Sequence, residues 1–145
     1  MKFNPISSRA HMAKVLLVLF LSDFGRVAGA QIVVQPGGVE RAPIASQALP
    51  GDPGCSLTAV VVILAPGAAV ASHHHPGIVC AYVLEGTVRS QLNGGDAIEY
   101  RAGQSWIEPP GSEHTLTLNP SRTLPTSLLA VFIAPTGAQL TPYDP

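Results

Sequence analysis

The sequence predicts an all-β chain folded as a double-sheet jelly roll or closed barrel, in a single domain. Three observations carry that expectation. Between residues 56 and 135, short apolar and β-branched runs of strand length follow one another, each ending at Gly, Pro or Asn. Fourteen Gly and fourteen Pro supply turn chemistry at frequent intervals along 145 residues. Beyond the N-terminus no stretch holds a helical period. With 46% hydrophobic and 12% charged residues, the chain suits one globular domain with a real core. A formal net charge of −1 offers no basic face, so nucleic acid is not an expected partner.

In chain order, Lys2, Arg9 and Lys14 precede the apolar run Val15 to Leu21, and the small residues of "VAGA" precede Gln31. This is the pattern of a secretory signal peptide over residues 1–30, which implies a periplasmic or secreted protein; a start at Met12 is the alternative. The apolar run is far shorter than the roughly twenty residues that span a bilayer, so no stable membrane anchor is expected. Residues 31–54, rich in Pro, Gly and Ala, read as an extended N-terminal arm with one strand at "QIVVQ" and as a segment able to pair two subunits in a homodimer.

Residues 55–145 form the expected barrel domain. "SLTAVVVIL" reads as a strand buried on both faces and closed by Pro66-Gly67. The runs "AAVASHHH", "IVCAYVLEG", "TVRSQLNGG", "DAIEYRAG", "SWIEPPG", "HTLTLNP" and "SLLAVFIAP" follow, and the tail from Pro135 reads as a surface strap. Antiparallel strands of this kind need edges protected by closure or by a dimer. Cys80 reads as a small buried hydrophobe, and spacing alone gives no distance to Cys55 for a disulfide.

Strand alternation puts His73 and His75 on one side and His74 on the other, which makes His73 and His75 a candidate chelating pair. After the Pro109-Pro110-Gly111 turn, the same alternation groups His114 with Leu116 and Leu118, and Thr115 with Thr117. A histidine on an inward, leucine-bearing face needs a partner for its ring nitrogens, and a metal supplies one. The plainer alternative is a surface histidine cluster beside an unrelated core histidine.

Gly67, five residues, then His73-x-His75, followed by Pro76-Gly77 and "YVLEG", resembles the first motif of the cupin superfamily. Gly103, five residues, then Pro109-x-Gly111-x-x-His114, with Asn119 shortly after, resembles the second. The resemblance runs from about Ser56 to Pro135 and implies a small single-domain cupin holding one divalent metal by two His and a Glu from the first motif and one His from the second. In this chain the Glu position is Val79. Three neutral imidazoles at His73, His75 and His114 leave the ion its full charge and favour Fe, Zn, Ni or Cu over Mn.

Glu108 shares a strand face with Trp106 and directly precedes the turn to His114, so it is the candidate fourth ligand or proton-transfer group; a solvated Glu108 is the alternative. Glu113 and Glu85 read as outward or turn residues, Trp106 as a barrel-wall aromatic, and Tyr82 as core packing before an acid at the site. Arg89 and Gln91 share a face and either orient a ligand from inside the barrel or lie on its outer surface. The resemblance implies a metal-dependent enzyme, a dioxygenase or lyase acting on a small molecule that chelates the metal through oxygen. A non-catalytic periplasmic metal or metabolite carrier is the second reading, and a structural dimer that lost its metal with the Glu is the third.

Overall fold

The computed structural model describes residues 33–35 and 37–144, where all regular structure is β. The signal segment therefore lies outside the described residues. One sheet has six strands in the order β1 (Val33–Gln35), β2 (Val39–Leu49), β3 (Asp52–Leu64), β11 (Thr126–Pro135), β6 (Ile78–Glu85) and β9 (Ser105–Glu108). The other runs β4 (Ala69–Val70), β10 (Glu113–Leu118), β7 (Thr87–Leu92) and β8 (Ile98–Arg101), with β5 (His73–His74) also paired to β10. Every strand pairing is antiparallel. The two sheets close face to face over a core that includes Leu64, Val79, Val83, Val88, Trp106 and Leu128.

Alternation decides which residues enter that core. Along β6, Val79, Ala81 and Val83 are buried while Ile78, Cys80, Tyr82 and Leu84 face out. Two expectations are thereby corrected: Cys80 is exposed, and Tyr82 is 42% exposed on the outer face. The run is apolar on both sides, so hydropathy alone hid its period. Cys55 and Cys80 are both free thiols; Cys55 pairs with Pro135 and Cys80 with Val131 on opposite sides of β11. In the second half of β3, likewise, Val60, Val62 and Leu64 are buried and Val61 and Ile63 only half so.

The segment read as an arm holds β1 and β2, and β2 pairs with β3 from Val39↔Leu64 to Leu49↔Asp52. β3 begins at Asp52, three residues before the expected barrel boundary at 55. Pro43 concealed β2. It sits past the short stretch that β1 covers, beside a register shift, where a missing N–H breaks no ladder bond.

Close approach explains Gly77. A Cβ there would overlap the Ile133 carbonyl oxygen on β11, so only glycine lets the chain leave the histidines and enter β6. The tail returns across β5: His74 N–H donates to Pro142 O, and Asp144 N–H donates to Ser72 O.

Candidate metal centre

Pairing between β5 and β10 brings the two histidine motifs together, with His73 and His114 as direct cross-strand partners. His73, His75 and His114 are buried, 5%, 5% and 2% exposed. A backbone carbonyl can only accept, so His73 Nδ1 donates to Ala71 O at 2.7 Å and His75 Nδ1 donates to Leu140 O at 2.6 Å. Both rings are thus fixed in the tautomer whose Nε2 carries a lone pair. His74 points the other way, with Nδ1 3.1 Å from Asp144 Oδ1.

His114 is held differently. Its Nε2 lies between Ser90 Oγ at 2.8 Å and Thr117 Oγ1 at 2.9 Å, so the nitrogen facing the other histidines is Nδ1, which is buried with no hydrogen-bond partner. This corrects the expected facing of β10. A register shift between His114 and Leu116 inserts an extra residue, so His114, Thr117 and Asn119 are buried and Leu116 turns aside. Asn119 donates to the carbonyls of Leu64, Ala65 and Leu124, a structural tie at the end of β10.

Glu108 enters the same space from β9. It is 2% exposed, its Oε1 accepts a 2.9 Å hydrogen bond from Trp106 Nε1, and its Oε2 lies 3.1 Å from His114 Nδ1 and 3.4 Å from His75 Nε2. These contacts are close but out of line for hydrogen bonds, so Oε2 and His114 Nδ1 are both buried and unsatisfied. The cross-strand partner of Glu108 is Val79, the position where the first motif carries its Glu.

Burial favours the neutral form of His73 and His75 that metal ligation requires. Burial pushes the His73 imidazole down to about 4, opposed by its bond to Ala71 and reinforced by the neighbouring His114 and His75. Burial likewise lowers His75. For Glu108 burial acts upward, but the close approach of His114 and His75 and the hydrogen bond from Trp106 outweigh it and hold the carboxyl below its ordinary value.

The ligand atoms of His73, His75 and His114 lie within 4.8 Å of one another, placed to hold a metal ion. Glu108 Oε2 adjoins two of the three, and its 3.1 and 3.4 Å separations from His114 Nδ1 and His75 Nε2 are near the edge of roughly 3.3 Å in a tetrahedron of bonds about 2.0–2.1 Å long. Two orphaned polar atoms in an apolar setting are costly, and a cation between them removes that cost.

Beside the centre lies a cavity of about 290 Å³ walled chiefly by Val60, Val62, Leu128 and Phe132. Arg41 from β2 and Leu140 from the tail also line it. Arg89 and Gln91 do not: Arg89 is exposed opposite Glu99, and Gln91 Nε2 donates to Gly95 O. Glu85 and Glu113 are exposed, and Trp106 is buried against Tyr100. Sequence reasoning missed Ser90, Thr117, Arg41 and the Leu140 carbonyl. Ser90 alone carried a signal, since it alternates with Val88 and Leu92 on the inward face of β7.

The family model described as "Cupin domain" matches residues 60–132, which span both histidine motifs. The chain belongs to the cupin family. Solved cupin structures agree on the fold. An RmlC-like cupin from Shewanella frigidimarina is 22% identical, with 79% of this chain and 92% of that one covered at a TM-score of 0.59. The DMSP lyase DddQ from Ruegeria pomeroyi is 22% identical over 57% of this cupin and 41% of the lyase, TM-score 0.51. A predicted oxalate decarboxylase from Thermotoga maritima is 23% identical over 67% and 80% of the two chains, TM-score 0.53. Comparison with curated protein sequences gave no match.

Proposed function

We propose that this cupin binds one divalent transition metal through His73, His75 and His114, with Glu108 as fourth protein ligand, and acts as a lyase or dioxygenase on a small oxygen-bearing molecule. The observation that carries the proposal is the unsatisfied Oε2 of Glu108, buried among imidazole nitrogens and paired across the sheet with Val79. A carboxylate supplied from 108 halves the charge that three imidazoles would leave on the ion, which readmits Mn beside Fe, Zn, Ni and Cu.

When bound, the metal supplies a Lewis acid for substrate oxygen. The chain's own residues do the rest. Trp106 anchors Oε1 and so orients the carboxylate, leaving Oε2 beside His75 and His114 as the oxygen placed to ligate or to take a proton. Ala71 and Leu140 hold the His73 and His75 rings in place. The apolar walls exclude water around the bound ligand. The geometry of this site supports the metal, and the reaction class is supported by analogy with the relatives named for lyase and decarboxylase activity, which share the fold.

A specific observation also favours a carrier: four protein donors so close together can close the coordination shell. Cobalt(II)-loaded protein separates the two. A change in its visible absorption on adding glycolate marks an open position and supports the enzyme, whereas an unchanged spectrum supports the carrier.

Two wider features are part of the same proposal. Export rests on the sequence of residues 1–30. Homodimer formation is supported by the outer face of the six-stranded sheet, where Ile78, Tyr82, Leu84, Ile107 and Ile133 are exposed.

A further inference from the structure

We propose that Arg41 is the anion anchor of the cavity and that its ligand is a small carboxylate with an apolar body. The inference deepens the functional reading above and rests on it only for placing the ligand's other end near the histidines.

Arg41 faces inward from β2, in register with Val62 of β3 and Val33 of β1. Its neighbour Glu40 lies in register with Ile63, on the opposite face. Along the sheet, β3, β11 and β6 separate β2 from β9, so Arg41 and Glu108 reach one cavity from well-separated strands. Nη1 of Arg41 is buried and has no hydrogen-bond partner among the described residues. The ion-pair contacts there are all between a histidine and a carboxylate, and Arg41 takes part in none.

A guanidinium is always charged and has five donors and no acceptor, so a buried, unpaired N–H on it calls for an acceptor. The cavity provides few candidates. Its charged or titratable lining groups besides Arg41 are Glu108, His73, His75 and His114, and Glu108, the one acid among them, takes Trp106 on Oε1, lays Oε2 beside His75 and His114 and makes no ion pair with Arg41. The missing acceptor is therefore supplied from outside. One planar fork in an otherwise apolar wall matches one carboxylate, which it takes through two parallel hydrogen bonds; a phosphate would ask for more positive charge than a single arginine provides. Val60, Val62, Val70, Leu128, Phe132 and Leu140 then set the character of the ligand's body as aliphatic or aromatic. At about 290 Å³ the space is at the small end for ligand pockets.

The test is calorimetric titration of the metal-loaded full chain with hexanoate and with its neutral counterpart hexanamide, in wild type, Arg41→Gln and Arg41→Lys, with metal content measured on each. Wild type should prefer hexanoate by about tenfold or more. Arg41→Gln should lose that preference while keeping its metal and its hexanamide affinity, and Arg41→Lys should keep part of it. Should Arg41→Gln not fold, the partial loss in Arg41→Lys carries the test. No hexanoate preference in wild type, or an undiminished preference in folded Arg41 variants, overturns the proposal. An undiminished preference that vanishes on metal removal places the anion on the metal and leaves the metal centre standing. An Arg41-dependent preference in protein that takes up no metal supports the anchor and sinks the metal centre instead.

Discussion

Val79 and Glu108 are cross-strand partners on β6 and β9, both almost fully buried beside His75 and His114. Directly opposed residues on one sheet face have Cβ atoms about 4.5–5.5 Å apart, within the length of a Glu side chain. A carboxylate from either position can therefore approach the same imidazoles. Exchanging the two residues tests this. Glu108→Val should weaken metal binding by about tenfold or more. Adding Val79→Glu should restore much of the loss, since the pair keeps its volume and only moves the carboxylate between strands. Competition with a metal indicator reads both affinities; a double variant as weak as the single one would contradict the exchange.

Acid should destabilise the metal-free protein. His73 titrates at about 4 when folded against 6.5 as its ordinary value, so between those values the unfolded chain binds more protons than the folded one. Stability is then complete above about pH 6.5 and is lost as pH falls toward 4, by about 3 kcal/mol from this residue. His75 and Glu108, both lowered, act in the same direction. Urea unfolding from pH 8 to pH 4 should show falling midpoints, with a shallower fall in His73→Gln. The metal-loaded protein should hold its midpoint to lower pH, because bound metal competes with protons for the same nitrogens.

Ser90 and Thr117 hold the His114 ring by its Nε2. Removing both hydroxyls in Ser90→Ala with Thr117→Val should weaken metal binding by about ten- to a hundredfold and, by leaving Nε2 buried without a partner, cost the metal-free protein about 1–3 kcal/mol of stability. Equal affinity in variant and wild type would show that the backbone alone orients His114.

Gly77 lies against the Ile133 carbonyl, so Gly77→Ala should push β6 from β11 and cost about 1–3 kcal/mol. Gly94, which has open space around it but a left-handed backbone at φ 67°, isolates the conformational part of such a loss. Thermal unfolding of Gly77→Ala and Gly94→Ala compares steric and conformational costs directly.

Runs that end cleanly in turn residues were legible as strands, including those that became β6, β7, β9, β10 and β11. His73 and His75 were legible because the period of two survives in a short strand, and Glu108 because it shares parity with Trp106. Three things were hidden. The extra residue after His114 reverses the facing of Thr117, and no sequence pattern marks that shift. Pro43 masks β2 and with it Arg41, whose role depends on what lies across the barrel. The Leu140 carbonyl is a backbone group, available wherever the tail happens to pass.

Elemental analysis of the full chain, purified without a histidine tag and reconstituted in turn with Fe, Ni, Cu, Zn and Mn, beside His75→Ala and His114→Ala, tests the metal centre most directly. About one equivalent of one of these metals in wild type, lost in both variants, is the predicted result. Wild-type protein that takes up none of them, or variants that retain the metal, would contradict it.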